Sequence, residues 1–89
     1  MIERETEIVN RLGLHARAAA KLVHTTGVFQ SRVTIVKDGE EVDAKSILGL
    51  LLLAAAQGSQ VTIRCEGQDE EEALRAITQL IANRFDEEC

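Results

Sequence analysis

The sequence contains no proline, tryptophan or tyrosine, and only two of its 89 residues are phenylalanine. It also has fewer basic than acidic residues: there are 10 Lys and Arg and 15 Asp and Glu, which gives a net charge of −5. Nucleic-acid binding relies on cationic side chains for the phosphates and on aromatic rings for unpaired bases. We therefore expect no nucleic-acid partner.

Long apolar runs are missing as well. No segment approaches the roughly 18 consecutive apolar residues of a membrane-spanning helix. The first residues, Met-Ile-Glu-Arg-Glu, lack the apolar region of a secretion signal. The length suits one domain, residues 1–89, and we expect a cytoplasmic protein with no membrane insertion.

The two cysteines do not form a recognisable framework. Cys65 lies in an alternating apolar segment and Cys89 is the last residue. No CxxC pair or His/Cys spacing typical of zinc is present. We expect two free thiols, no metal site and no cofactor.

Four segments alternate between apolar and polar residues, which is the pattern of half-buried strands. They are residues 2–9, 31–37, 40–43 and 61–66. Asp38-Gly39 separates the second from the third and favours a two-residue type I′ turn. The middle pair is therefore predicted to be a hairpin.

Three other segments carry apolar residues at helical spacing: residues 16–27, 47–57 and 70–84. Gly27 and Gly58 are typical of helix ends, Ser46 of an N-cap, and Asp69 of a capping box. The order βαββαβα predicts an α+β fold, a four-stranded antiparallel sheet covered on one face by three helices.

His15 has an unusual position, between Gly13 and the first turn of a predicted helix. If it is the N-cap, the free backbone N–H groups of Ala16, Arg17 and Ala18 converge beside its ring and form an anion site. The Arg17 side chain adds a permanent positive charge. The helix dipole disfavours a charged ring, so we expect a neutral, nucleophilic nitrogen and a site suited to reversible phosphorylation.

An alternative interpretation is that His15 is only a helix cap. His24 lies in the middle of the same predicted helix without such neighbours, and we expect it to be an ordinary surface or packing residue.

The segment Lys45 to Leu53 has leucines that are too continuous for a helix with one apolar face. Some should be exposed and available to a partner. The alternative is that all of them belong to the core of a short, central helix.

The sequence around His15 and Ser46 resembles that of the histidine-containing phosphocarrier proteins, HPr, of the bacterial phosphotransferase system. Gly-Leu-His-Ala-Arg at 13–17 is similar to the family's active-site motif, and Lys-Ser-Ile-Leu-Gly at 45–49 to its regulatory serine segment. Asp38-Gly39 and the last helix fall where the family has its hairpin and final helix. The resemblance covers the whole chain.

The resemblance implies an open-faced β-sandwich and a monomeric carrier, not a turnover enzyme. His15 would accept a phosphoryl group on Nδ1 from enzyme I, charged by phosphoenolpyruvate, and pass it to an enzyme IIA, assisted by Arg17. It further implies phosphorylation of Ser46 by an ATP-dependent HPr kinase/phosphorylase. Ile47, Leu48 and Leu51 would belong to the docking surface around the histidine.

One residue departs from the family pattern, because Ala18 stands where the family usually has proline. Alanine loses some preorganisation but offers one more N–H donor. We expect function to survive with altered rate or affinity.

Other functions stay open. HPr-like proteins serve either sugar uptake or a nitrogen-linked phosphorelay. Another alternative is a binding-only regulator whose state is set by Ser46 and recognised by a transcriptional regulator, although such a protein would not need a nucleophile at His15. A small ferredoxin-like binding module would need a second concave site, which no motif indicates.

Overall fold

The computed structural model describes residues 1–87 and confirms the predicted order of elements. The α-helices and strands are β1 (Ile2–Glu7), α1 (Ala16–Gly27), β2 (Arg32–Lys37), β3 (Glu40–Asp43), α2 (Ile47–Leu53), β4 (Gln60–Glu66) and α3 (Glu70–Ala82). A 3-10 turn, Arg84–Asp86, follows α3. No helix between residues 1 and 87 is long and apolar enough to cross a membrane.

The sheet has the strand order β1-β4-β2-β3, and every neighbouring pair is antiparallel. Its register pairs Ile63 of β4 with Arg4 on one side and Ile35 on the other. Alternation places the apolar side chains of β2 and β4 on one buried face: Val33, Ile35, Val61, Ile63 and Cys65.

The helices cover that buried face, which confirms the predicted fold class. Helix α3 contacts β1 and β4, α2 contacts β3, and α1 packs against α2 and α3. The opposite face is polar, and Arg64 there donates to Glu3 at 2.9 Å and also contacts Glu41. Cys65 is a free, buried thiol, whereas Cys89 lies outside the described residues.

The hairpin between β2 and β3 forms as predicted. Asp38 and Gly39 both have positive φ angles, 51° and 84°, as a type I′ turn requires.

The predicted end of α2 near Gln57 is wrong, because this helix ends at Leu53. Ala54 turns into the left-handed region, with φ 52°. The Ala55 carbonyl then accepts the Leu14 N–H at 2.8 Å, and Gly58 donates its N–H to Ile8 at 2.7 Å. Tertiary hydrogen bonds at residues 55 and 58 therefore hold this segment outside the helix.

Gly27 is the last helical residue of α1, not its cap. The capping residue is Val28, which keeps a right-handed conformation with φ −82°.

The capping box predicted at Asp69 is wrong. Its side chain makes no bond to α3 and instead accepts the N–H groups of Gln30 and Ser31, both at 2.9 Å, and the Ser31 hydroxyl. The Ser31 hydroxyl, followed by the Gln30 N–H, holds the pKa of Asp69 below its ordinary value. Asp69 therefore joins the loop before β2 to the start of α3.

The predicted extension of α3 to Arg84 is also wrong, because the helix ends at Ala82. Arg84, Phe85 and Asp86 all adopt left-handed backbone, with φ angles of 58°, 53° and 62°. This left-handed turn brings the Phe85 side chain into full burial.

Candidate functional site

His15 is the N-cap of α1, as predicted, with extended backbone angles of φ −85° and ψ −178°. The first bond of the helical ladder runs from the Ala19 N–H to the His15 carbonyl at 2.8 Å. The N–H groups of Ala16, Arg17 and Ala18 therefore precede the ladder and form the positive end of the helix. One of them, from Arg17, donates to His15 Nδ1 at 3.2 Å.

These three residues differ in accessibility. Ala16 and Arg17 are exposed, whereas Ala18 is fully buried in the core. An anion beside the ring therefore meets the first two residues more directly than Ala18.

The loop before His15 is held by close packing. Gly13 has φ 68°, and a Cβ added there would lie 2.6 Å from the Ala55 carbonyl oxygen, so only glycine fits. Asn10, which is fully buried, donates from Nδ2 to the Gly13 carbonyl at 2.7 Å. Together with the bond from Leu14 to Ala55, these contacts fix the approach to the histidine.

A carboxylate from the end of the chain completes the site. Glu87 Oε2 is hydrogen-bonded to Nε2 of His15, and Glu87 Oε1 accepts from Asn10 Nδ2 at 3.2 Å. An ionised carboxylate only accepts hydrogen bonds, so Nε2 carries the ring proton and Nδ1 of the neutral ring keeps its lone pair. The Arg17 N–H directed at Nδ1 agrees with this tautomer.

Opposing influences act on the pKa of Glu87. Desolvation by burial raises it, but hydrogen bonds from His15 and Asn10, the charge of His15 when its ring is protonated, and the charge of Lys21 lower it more. The net result is a pKa below the ordinary value, which favours the charged form that the tautomer assignment needs.

An open cleft of about 850 Å³ lies beside the ring. Its lining residues are Arg11, Leu12, His15, Ala16, Arg17, Lys21, Asp86 and Glu87. Three of these are cationic and two are acidic, whereas acidic residues outnumber basic ones in the whole chain. Lys21 is engaged by the Phe85 carbonyl at 2.7 Å, while Arg11 and Arg17 are exposed. The cleft therefore suits an anion such as a phosphoryl group.

Ser46 is the N-cap of α2, as predicted, and its hydroxyl accepts the Gly49 N–H at 3.2 Å. Behind it the apolar residues of α2 divide. Leu50 and Leu53 are buried, whereas four are exposed: Ile47 (43%), Leu48 (67%), Leu51 (38%) and Leu52 (71%). We call these four the α2 surface. The alternative in which every leucine belongs to the core is wrong.

The site residues differ in how far they could be predicted from the sequence. His15, Arg17 and Ser46 were evident, and His24 is exposed on α1 as expected of a surface residue. Asn10 had a weak signal, since an asparagine three residues before a glycine is typical of a side-chain-bonded turn. Glu87 had none, because it is 72 positions from its partner.

Comparisons with known proteins agree on one family. A family model described as "PTS HPr component phosphorylation site" matches residues 2–83. The chain is 54% identical over 87 residues to "Phosphocarrier protein HPr" of Cupriavidus necator, covering 98% of each. It is 44% identical over 86 residues to "Phosphocarrier protein NPr" of Shewanella violacea, covering 97% of this chain and 94% of the relative. The crystal structure of HPr-C-His from Thermoanaerobacter tengcongensis superposes with a TM-score of 0.96 at 46% identity, covering all of both chains.

Proposed function

This chain belongs to the HPr family of phosphocarriers of the phosphotransferase system, and from that premise we propose that Nδ1 of His15 carries the phosphoryl group. The donor is enzyme I and the acceptor is an enzyme IIA, in the cytoplasm. The observation that carries the assignment is the position of Nδ1, with its lone pair at the N-terminus of α1 beside Arg17.

The transfer step follows from this geometry. The Nδ1 lone pair forms a bond to phosphorus while the bond between phosphorus and the donor breaks, and its electron pair leaves with the donor. Negative charge on the phosphoryl oxygens meets the N–H groups at the helix start and the Arg17 guanidinium. Passage to enzyme IIA reverses the step, so the protein is a covalent carrier and ends each cycle unchanged.

Intact mass after incubation with phosphoenolpyruvate and enzyme I tests the assignment. We expect one added phosphoryl group that is lost in acid, as phosphohistidine is and phosphoserine is not. His15→Ala should abolish it completely, while the matched variant His24→Ala should keep it. Acid-labile phosphate on the His15→Ala protein would contradict the proposal.

The α2 surface supports a second part of the proposal, which is the docking of enzyme I and enzyme IIA. Ile47, Leu48 and Leu51 expose apolar side chains that a monomer gains nothing by exposing. Exposed apolar patches with polar surroundings mark interaction sites. The partners would bury these side chains when they reach His15.

Ser46 supports a regulatory role. A phosphate on its hydroxyl would add a charge of about −1.5 to −2 beside the apolar α2 surface. Docking would then require desolvation of that charge, so phosphoryl entry at His15 should slow. A kinase/phosphorylase would set this state, and a transcriptional regulator could bind it.

A nitrogen-linked phosphorelay is the second candidate function, and the similarity to a phosphocarrier named NPr favours it. The chemistry at His15 would be the same. Phosphoryl uptake from the enzyme I of a sugar system and from that of a nitrogen-linked system, measured side by side, distinguishes the two by their rates.

A further inference from the structure

We propose that Glu87 is a positioning residue for phosphoryl transfer, an inference that rests on the proposed function of His15. Its carboxylate keeps the ring proton on Nε2, and it balances the positive charge that the ring gains when Nδ1 binds phosphorus. The hydrogen bond between Glu87 and Nε2 is the observation from which this follows.

Both oxygens of the carboxylate are held. One bonds to His15 and the other accepts from Asn10, whose amide also donates to the Gly13 carbonyl. The Glu87 side chain is only 13% exposed and the His15 side chain 26%. This shielding distinguishes the pair from an ordinary surface ion pair, which water screens.

The chain adopts an unfavourable backbone to place this carboxylate. The left-handed turn, residues 84–86, contains no glycine, although left-handed backbone disfavours other residues. Burial of Phe85 and the bond from Lys21 to the Phe85 carbonyl hold the turn in place. Backbone strain that surrounding contacts maintain is typical of functional sites.

The proton and charge balance explains what the carboxylate supplies. A neutral imidazole has one N–H group, and holding it on Nε2 leaves the lone pair on Nδ1. When that pair forms the bond to phosphorus, Nε2 keeps its proton and the ring becomes cationic. The adjacent carboxylate offsets this charge, and return of the electron pair to Nδ1 restores the neutral ring without any proton transfer.

The ¹⁵N NMR signals of His15, recorded where the ring is neutral, test the tautomer without any partner protein. In the parent protein we expect a protonated Nε2 and an unprotonated Nδ1. Glu87→Ala should add a population with the proton on Nδ1 and slow phosphoryl uptake from enzyme I about tenfold, as expected for loss of one partly shielded charge-assisted hydrogen bond. Glu87→Gln retains one acceptor oxygen and no charge, so it should fall between the two.

Glu71→Gln is the matched control, since it removes one carboxylate from the exposed first turn of α3. It should leave both measurements at parent values. The proposal is overturned if Glu87→Ala keeps the parent tautomer, or if its uptake rate stays within twofold of the parent. Failure of the parent itself to accept phosphate would instead refute the proposed function, while the NMR result would still decide the role of Glu87 in the tautomer.

Discussion

Two helices of this protein begin at a polar cap whose side chain accepts a backbone N–H from the first turn, and the surroundings of the two caps differ. His15 accepts an N–H from the first turn of α1 at 3.2 Å, and Ser46 accepts one from the first turn of α2 at the same distance. His15 also meets a carboxylate and a cationic cleft, whereas Ser46 adjoins exposed apolar residues. The cap positions the side chain, and the environment decides its chemistry.

After loss of His15 itself, the largest effect is expected from a charge placed on the apolar α2 surface beside Ser46. Leu48→Glu should weaken association with enzyme I by about ten- to a hundredfold, since burial of a leucine is worth about 1.5–3 kcal/mol. The fold should survive because Leu48 is 67% exposed. Titration calorimetry measures the affinity and circular dichroism the fold.

Val28→Glu is the control for that change, because Val28 is equally exposed but lies at the end of α1. It should bind like the parent. Equal weakening by both variants would show that added charge, not the α2 surface, is responsible.

Removal of a positive charge from the cleft beside His15 should have the next largest effect. Arg17→Ala should slow phosphoryl uptake by about 1–3 kcal/mol in activation free energy, the range for a charge-assisted contact. Stability should hardly change because the Arg17 side chain is exposed. Rapid-quench rates check this, and an unchanged rate would show that the backbone donors suffice.

Ser46→Asp places a charge at the N-cap of α2 and so tests whether the uncharged surroundings of Ser46 matter for phosphorylation of His15. It should slow phosphorylation of His15 several-fold at low ionic strength, less at high salt, and leave the melting temperature equal or higher, since a negative charge suits a helix start. Ser46→Asn keeps a capping side chain without charge and should retain the parent rate. An unfolded Ser46→Asp protein, or one with the parent rate at low salt, would contradict the proposal that a charge at Ser46 slows phosphoryl entry at His15.

The start of α3 offers the smallest test, because Asp69 there bonds to the loop before β2 and not to its own helix. Its pKa is lowered on folding, so its stabilising contribution is complete above the ordinary carboxylate pKa and is lost as the pH falls through the lowered value. Melting temperatures against pH should therefore decline less steeply in acid for Asp69→Asn than for the parent. Parallel curves would refute the contribution.

Sequence patterns were sufficient wherever local geometry decided the structure. Alternation predicted all four strands and Asp38-Gly39 predicted the hairpin. The N-caps of α1 and α2 also lie where predicted. Distant contacts decided the rest: the early end of α2 depends on Leu14, and the role of Asp69 on Ser31. Glu87 reaches His15 only because the left-handed turn redirects the chain, a conformation that Arg-Phe-Asp does not predict.

The burial of Cys65 offers a way to measure how often strand β4 becomes accessible to solvent. Its thiol is buried in β4, and its pKa is raised to about 11 by burial and then by the charges of Glu70 and Asp69. Alkylating reagents attack the thiolate, so the folded protein should resist them near neutral pH. In a Cys89→Ser background, the alkylation rate at Cys65 would report how often β4 separates from the helices, and no engineered label would be needed.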